Sequence, residues 1–187
     1  MRARLLVQAA LLAVPLVGGI GAALSACVGT NADQTFLCPS ETVFIGLAAD
    51  GGKLPGAAVS EYMDRRCGTL DCHGSEARPM RLYGRLGLRA PEQNNRSGGA
   101  PTTLLELKAN YGAVCSIEPE KTDKAVMDMG ASAEKLLVVL KARGTEAHKG
   151  GIVVMAGSNG DECITGWLKG DPPATVAAAC KIALDNL

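Results

Sequence analysis

The chain has 187 residues, with 19 basic and 19 acidic side chains that give a formal net charge of zero. This balance excludes the large basic surface by which proteins bind nucleic acid, so we expect no nucleic-acid partner. Hydrophobic residues make up 47% of the chain but aromatic residues only 3%, so aliphatic side chains must supply most of the core. The length suits a single domain with one core.

The N-terminal residues predict export. Arg2 and Arg4 precede an apolar run from Leu5 to Leu24, which is the pattern of a secretory signal peptide. The end of this run, Leu24-Ser25-Ala26-Cys27, resembles the lipobox of bacterial lipoproteins, in which cleavage precedes the cysteine and that cysteine carries the lipid. An uncleaved transmembrane anchor and a secreted form cut after Ala26 are the alternatives.

The lipoprotein interpretation divides the chain into a signal peptide (1–26), a lipid-anchored linker (27–37) and one domain (38–187). Loss of Arg2 and Arg4 leaves 17 basic against 19 acidic residues, a net charge of −2. Residue 28 is Val rather than Asp, which by resemblance to bacterial lipoprotein sorting favours the outer membrane. We therefore expect an exported protein whose membrane partner is reached through lipid on Cys27.

Residues 57–67 predict an amphipathic helix that runs into the segment Cys67-Gly-Thr-Leu-Asp-Cys72-His73-Gly74. Two cysteines followed at once by a histidine are what covalent attachment of a haem requires, because the thiols add to vinyl groups and the imidazole binds the iron. The usual spacing is Cys-x-x-Cys-His, so the two extra residues here must bulge out, which Gly68 makes easier. The alternative is a small-loop disulfide with His73 on the surface.

Four arginines and a tyrosine follow this motif, at Arg78, Arg81, Tyr83, Arg85 and Arg89. Guanidinium groups bind carboxylates well, so the segment predicts hydrogen bonds to haem propionates or a cationic docking face. A solvated arginine loop is the alternative.

Further helices are predicted from caps and hydrophobic spacing. Thr103-Leu-Leu-Glu106 is a capping box that opens a helix through Leu104, Leu107, Tyr111 and Val114. Next come helices over Thr122–Met129, stopped by Gly130, and from Ser132 through Ala142, ended by Gly144; another runs from Asn159 to Gly170, and the last begins at Asp171-Pro172. Residues 136–140 and 152–155 are each short enough for a strand, although length favours a helix for the first. The predicted fold class is all-α with long loops.

The chain has two histidines, so His148 is the candidate for a second axial ligand opposite His73. Gly150 and Gly151 remove side chains beside its imidazole, and would allow the backbone close to a flat ring. An exposed histidine in a glycine loop is the alternative interpretation of His148. Met155 is the alternative sixth ligand, because a thioether sulfur also binds haem iron.

The remaining cysteines predict two disulfides. With Cys27 assigned to lipid, and Cys67 and Cys72 to haem, four of the seven cysteines are left: Cys38, Cys115, Cys163 and Cys180. A turn over residues 169–172 lies midway between Cys163 and Cys180, so an antiparallel helical hairpin brings these two thiols level. Cys38 then pairs with Cys115 by elimination. Three disulfides and no cofactor would use the six cysteines just as evenly.

The motifs together resemble class I cytochrome c, in particular planctomycete-type cytochrome c domains. The resemblance is carried by Cys72-His73-Gly74, His148-Lys149-Gly150-Gly151 and Trp167-Leu168-Lys169-Gly170. Related domains have a Met-Pro segment, with the methionine ligand, at about the distance before the last motif at which His148 lies here, which favours His148 over Met155. The chain also resembles secreted bacterial lipoproteins that have a Cys-Gly-x-Leu-Asp-Cys-His-Gly segment followed by Leu-Tyr-Gly.

The resemblance implies a monohaem electron carrier with a cytochrome c-like fold, haem c as its cofactor and a redox partner protein of unknown identity. Cys67 and Cys72 hold the ring, His73 is the proximal and His148 the distal iron ligand, and no enzyme activity is expected. The alternatives are a cofactor-free, disulfide-stabilised lipoprotein that acts as a structural or binding module, and a tetrahedral zinc site at these same four residues.

Overall fold

The computed structural model describes residues 35–47, 51–53, 56–91 and 98–187. The predicted signal peptide, Cys27 and the linker as far as residue 34 lie outside the described residues. Seven α-helices lie within them: α1 (Glu41–Ile45), α2 (Val59–Cys67), α3 (Leu104–Cys115), α4 (Pro119–Met127), α5 (Leu137–Ala142), α6 (Asn159–Lys169) and α7 (Pro173–Asp185). No β-strand occurs in this part of the chain, which confirms the all-α class. No helix in the described ranges is long and apolar enough to cross a membrane.

Capping residues in the sequence predicted most helix ends to within a few residues. Thr103 and Glu106 form the reciprocal capping box at the start of α3, and Gly170 ends α6 with a left-handed φ of 76°. Several boundaries differ from the prediction by one to three residues. Helix α2 begins at Val59 rather than at residue 57, α4 covers Pro119–Met127 rather than Thr122–Met129, and α7 begins at Pro173, with Pro172 as its N-cap. The short helix α1, which Ser40 caps, was not predicted.

The predicted helix from Ser132 to Ala142 is wrong in its first half. A single 3-10 turn covers Ala133–Lys135, and Leu136 then takes an extended conformation with ψ of 141° before α5 begins. Among the described residues, the Ser132 hydroxyl makes no capping hydrogen bond. The Leu136 side chain is only 3% exposed, and its burial accounts for the break. In a continuous helix this side chain would point in a different direction.

Three aromatic rings form the centre of the core. Phe44 of α1 and Trp167 of α6 have ring centroids 4.8 Å apart, and Tyr111 of α3 contacts both rings edge-on. The Trp167 indole also donates a hydrogen bond of 2.9 Å to the Ser40 carbonyl oxygen, and the Tyr111 hydroxyl donates to that of Pro39. These rings therefore join α1, α3 and α6 despite the low aromatic content of the chain.

Both predicted disulfides are present. Cys38 is joined to Cys115 at the end of α3, and Cys163 of α6 to Cys180 of α7. The helices α6 and α7 form the antiparallel hairpin expected from the turn at residues 169–172, and both of its cysteines are fully buried. The disulfides and the aromatic rings lie among the same four helices, α1, α3, α6 and α7, which we call the disulfide core.

Candidate functional site

His73 lies in a closed turn directly after α2. Gly68 caps the helix by donating its N–H to the carbonyl oxygens of Met63 and Asp64. The Cys67 carbonyl then accepts a 2.8 Å hydrogen bond from the backbone N–H of His73, while Thr69 accepts from both Cys72 and Gly74. The turn between the two cysteines is thus closed by its own backbone hydrogen bonds.

The segment Met80–Leu88 covers this turn and orients the imidazole. Backbone hydrogen bonds of 2.8 Å run from the N–H of Leu82 to the His73 carbonyl and from the N–H of Leu88 to the Gly74 carbonyl. The imidazole Nδ1 of His73 lies 2.8 Å from the carbonyl oxygen of Met80. Since a carbonyl can only accept, Nδ1 carries the proton, and Nε2 of the neutral ring keeps its lone pair.

Glycines make this close approach of two backbones possible. A Cβ atom on Gly74 or on Gly87 would lie only 2.0 Å from the carbonyl oxygen of Gly68. Gly84 packs directly against the Asp64 carboxyl group, whose Oδ1 would lie 1.7 Å from such a Cβ. Substitution of any of these glycines would push the covering segment away from the histidine turn.

Buried polar side chains of α3 hold the covering segment in place. The Asn110 amide exchanges two hydrogen bonds with the backbone of Tyr83, at 2.6 and 2.7 Å. One turn earlier on α3, the Glu106 carboxylate accepts two hydrogen bonds from the Arg89 guanidinium at 2.8 and 2.9 Å and one from the N–H of Ala90. The side chains of Arg89 and Glu106 are 3% and 0% exposed. Burial alone would raise the pKa of Glu106, but the bonds from Arg89, Thr103 and Ala90 lower it to about 2.

Asp64 of α2 is a further buried carboxyl group beside this segment. Its Oδ2 accepts hydrogen bonds from the Thr102 hydroxyl at 2.8 Å and from the N–H of Arg85, while Oδ1 has no hydrogen-bond partner within the described residues. Burial raises the pKa of Asp64 above its ordinary value, which these hydrogen bonds only partly offset. The covering segment is therefore attached to α2 as well as to α3.

His148 lies in the loop between α5 and α6, whose ends are joined by an ion pair. Arg143, just after α5, donates two hydrogen bonds to the Asp161 carboxylate in the first turn of α6, at 2.8 and 2.7 Å. The His148 Nδ1 lies 3.2 Å from the carbonyl oxygen of Gly151, so this ring also has its proton on Nδ1. Gly150 packs against the imidazole, because a Cβ atom there would lie 3.1 Å from Cε1, whereas a Cβ on Gly151 would meet nothing within 4 Å.

Arg66 connects the two histidine-bearing regions. Its Nε and Nη2 donate hydrogen bonds of 2.9 and 2.7 Å to the carbonyl oxygen of Val153, 87 residues further along the chain. Arg66 immediately precedes Cys67 at the end of α2. Its guanidinium thus positions the His148 loop, a role that the amphipathic pattern of residues 57–67 did not indicate.

The structure brings the two histidines together. Their ring centroids are 6.0 Å apart and their planes differ by 10°. Two imidazoles that bind one metal ion from opposite sides have centroids about 6 Å apart, because imidazole–metal bonds are about 2.0–2.1 Å and each ring centre lies just over 1 Å further. The separation fits such a pair, but the two rings are stacked, and binding also requires both Nε2 lone pairs to point at the ion in the planes of the rings. Metal-binding histidines also characteristically donate their other N–H to a backbone carbonyl or carboxylate. Both rings meet this requirement.

The electrostatic environment favours a neutral His73. Burial lowers the pKa of His73 below its ordinary value, and the neighbouring His148 and Arg78 lower it further, against the opposing effect of the bond to Met80. A neutral imidazole is the form that binds a metal. Arg78 also donates hydrogen bonds to the carbonyl oxygens of Asp71 and Cys72 and so supports the turn itself.

Cys67 and Cys72 form no disulfide, so among the described cysteines two are free thiols rather than the third disulfide of the cofactor-free alternative. The two thiols differ in surroundings. Cys67 packs against the hydrophobic core, and burial raises its pKa to about 12. Cys72 is half-buried in the turn and is not part of this packing.

The tetrahedral zinc alternative is not supported. Within the described ranges, no three side chains among His, Cys, Asp and Glu converge on a point where they could hold a metal ion. The helical end at Cys67 explains this, because its thiol faces the core while the imidazoles of His73 and His148 face each other.

Met155, the alternative sixth ligand, is 73% exposed and lines a cavity of about 280 Å³ together with Tyr62 and Arg66. Leu70 and Ile152 are also exposed, at 56% and 67%. These apolar side chains belong to the two segments that bear the histidines.

The arginine segment is divided between two roles. Arg89 is buried in its ion pair with Glu106, so the prediction that it binds a propionate or an acidic partner is wrong. The Arg81 guanidinium donates to the Glu76 carbonyl oxygen. Arg81 and Arg85 are exposed.

Comparison of the chain with family models, with curated proteins and with solved structures finds no match. Only the residues of the site therefore indicate a function.

Proposed function

We propose that this protein is a monohaem c-type electron carrier with His73 and His148 as axial ligands. The observation that supports the proposal best is the pair of parallel imidazoles 6.0 Å apart, each with Nδ1 engaged by a backbone carbonyl and Nε2 left as the ligating atom. The cytochrome c-like fold, the export signal and the lipid anchor at Cys27 are parts of the same proposal.

The donor set suits a haem better than a bare metal ion. Two imidazoles supply both axial ligands, the thiol of Cys72 precedes the proximal histidine directly, and Leu70, Ile152 and Met155 offer exposed apolar surface in the same segments. Haem iron supplies one-electron chemistry, and with two imidazole ligands it has no open position for oxygen, which favours electron transfer over catalysis.

The residues of the chain would have separate tasks in this function. The Met80 carbonyl holds the His73 ring in the tautomer whose Nε2 can bind iron. The Gly151 carbonyl does the same for His148, and Arg66 keeps the His148 loop against α2. Asn110 and Glu106 prevent the covering segment from moving away from His73.

The test is to export the full chain in a host that matures c-type cytochromes, and to examine it by haem staining of a denaturing gel and by absorption spectroscopy. We expect covalent haem with a low-spin, six-coordinate spectrum. His148→Ala should convert it to a high-spin spectrum, and the matched control Met155→Leu should leave it unchanged. The opposite result would make Met155 the ligand, and a colourless protein would refute the proposal in favour of a cofactor-free module.

A further inference from the structure

The hydrogen-bonded turn between Cys67 and Cys72 restricts the movement of Cys67 away from the core. Cys67 is the last residue of α2 and, although partly exposed like Cys72, packs against the hydrophobic core. Its own carbonyl accepts the N–H of His73, and the next residue, Gly68, is hydrogen bonded back into the helix. Both sides of the Cys67 peptide backbone are therefore fixed.

Gly68 is also enclosed on its outer side. Its carbonyl oxygen touches the backbones of Gly74 and Gly87, and a Cβ on Gly68 itself would lie 2.7 Å from the Asp64 carbonyl. An outward movement of the Cys67–Gly68 backbone would therefore have to displace the segments at Asp64, Gly74 and Gly87. The backbone of Cys72 is also hydrogen bonded, to Thr69 and Arg78, but its side chain is not among those packed against the core.

We infer that the haem is attached through a single thioether, at Cys72, and that Cys67 remains a free thiol packed against the core. This inference rests on the proposed function. It accounts for the wide spacing of the cysteines, because only the Cys72-His73 pair must fit the ring. The added residues of the step serve to close the turn, with Thr69 accepting two of its N–H groups.

The attachment is a balanced addition. The Cys72 S–H adds across the carbon–carbon double bond of one vinyl group, so a carbon–sulfur bond forms and the proton ends on the other vinyl carbon. No oxidant or reductant is consumed. The second vinyl group keeps its double bond and stays conjugated with the porphyrin.

The test counts thiols in the exported haem protein. After denaturation without reductant, an alkylating reagent should modify one cysteine, and peptide mapping by mass spectrometry should place it at Cys67 and the haem at Cys72. The absorption band of the pyridine haemochrome should lie at longer wavelength than in a protein with two thioethers. Absence of an alkylatable thiol, through a second thioether or a disulfide, would overturn the inference.

Two matched variants separate this inference from the proposed function. Cys67→Ala, which keeps a small apolar side chain in the core, should retain covalent haem, whereas Cys72→Ala should lose it. Loss of covalent haem in Cys67→Ala, with the helical circular dichroism intact, would overturn the single thioether but leave the electron carrier standing. A wild-type protein that is haem-free with two alkylatable thiols would refute both.

Discussion

The disulfide core and the histidine-bearing segments are stabilised by different interactions. In the disulfide core, two covalent links and the rings of Phe44, Tyr111 and Trp167 join four helices. The histidine segments have no β-strand and few helical residues in their described parts, and are held by glycine contacts, backbone hydrogen bonds and buried polar side chains. Apolar burial stabilises a helix pair without regard to fine geometry, whereas directional hydrogen bonds fix an imidazole in one orientation.

The largest effect should follow from a change in the disulfide core. Trp167→Ala removes a ring that is 2% exposed, and large-to-small substitutions of this kind cost about 3–5 kcal/mol. Urea unfolding should show this loss as a lower midpoint for the whole domain. Trp167→Phe keeps most of the ring packing and should cost much less; equal losses in the two variants would contradict the packing explanation.

The next effect concerns the ion pair beneath the covering segment. Glu106→Gln leaves the Arg89 guanidinium buried without its counter-charge, which costs about 3 kcal/mol. The pKa of Glu106 is lowered to about 2, so the carboxylate stabilises the fold at neutral pH and this contribution is lost as the pH falls from about 4.5 towards 2. Thermal unfolding across that range should therefore depend less steeply on pH in the variant. An unchanged slope would contradict the assignment.

A smaller and more local effect is expected from Asn110→Ala. The substitution removes both hydrogen bonds to the Tyr83 backbone, and each unsatisfied buried group costs about 1–3 kcal/mol. Hydrogen exchange should accelerate over residues 80–88 and leave α6 and α7 protected. The matched control is Lys108→Ala, an exposed change on the same helix, which should alter neither region.

The smallest effect is the pH dependence contributed by His73 in protein prepared without haem. Burial lowers the pKa of His73 in the folded state, so the unfolded chain takes up the proton first as the pH falls below about 6.5. The stability contribution is complete above that pH and decreases below it. His73→Gln should flatten the dependence of the melting temperature between pH 7 and 5; a slope that persists unchanged would exclude His73 as its source.

Local signals explain why the helices could be predicted. The capping box at Thr103 and Glu106, and the glycine at position 170, act within a few residues of the boundaries they set. Helix α1 escaped prediction because it has only five residues and depends on aromatic contacts with α3 and α6. The break at Leu136 has the same kind of origin, since burial in the tertiary structure overrides a continuous helical pattern.

The sequence predicted which histidines form the candidate site, but not which residues hold them in place. The two histidines were identified because the chain has no others and both lie in motifs. The residues that position them were not identified. Glu106 and Asn110 are polar positions on a helix, which ordinarily face solvent, and their partners lie 16 to 27 residues away. Arg66 acts across 87 residues. Sequence spacing along one helix carries no information about such contacts, although a capping-box glutamate followed by asparagine one turn later is a signal that could be searched for.

The long span of the Cys38–Cys115 disulfide has a consequence for the order of assembly. The 77 residues it spans contain both free thiols, which under the proposed export would reach the far side of the membrane before Cys115 does. Closure of a loop from Cys38 to Cys67, which spans 67 − 38 = 29 residues, costs about 0.9 kcal/mol less chain entropy than closure of the native loop. Early oxidation therefore favours incorrect disulfides between Cys38 and one of the two free thiols. If the chain is exported and binds haem as proposed, its correct maturation should depend on a disulfide isomerase, or on haem that reaches Cys72 first.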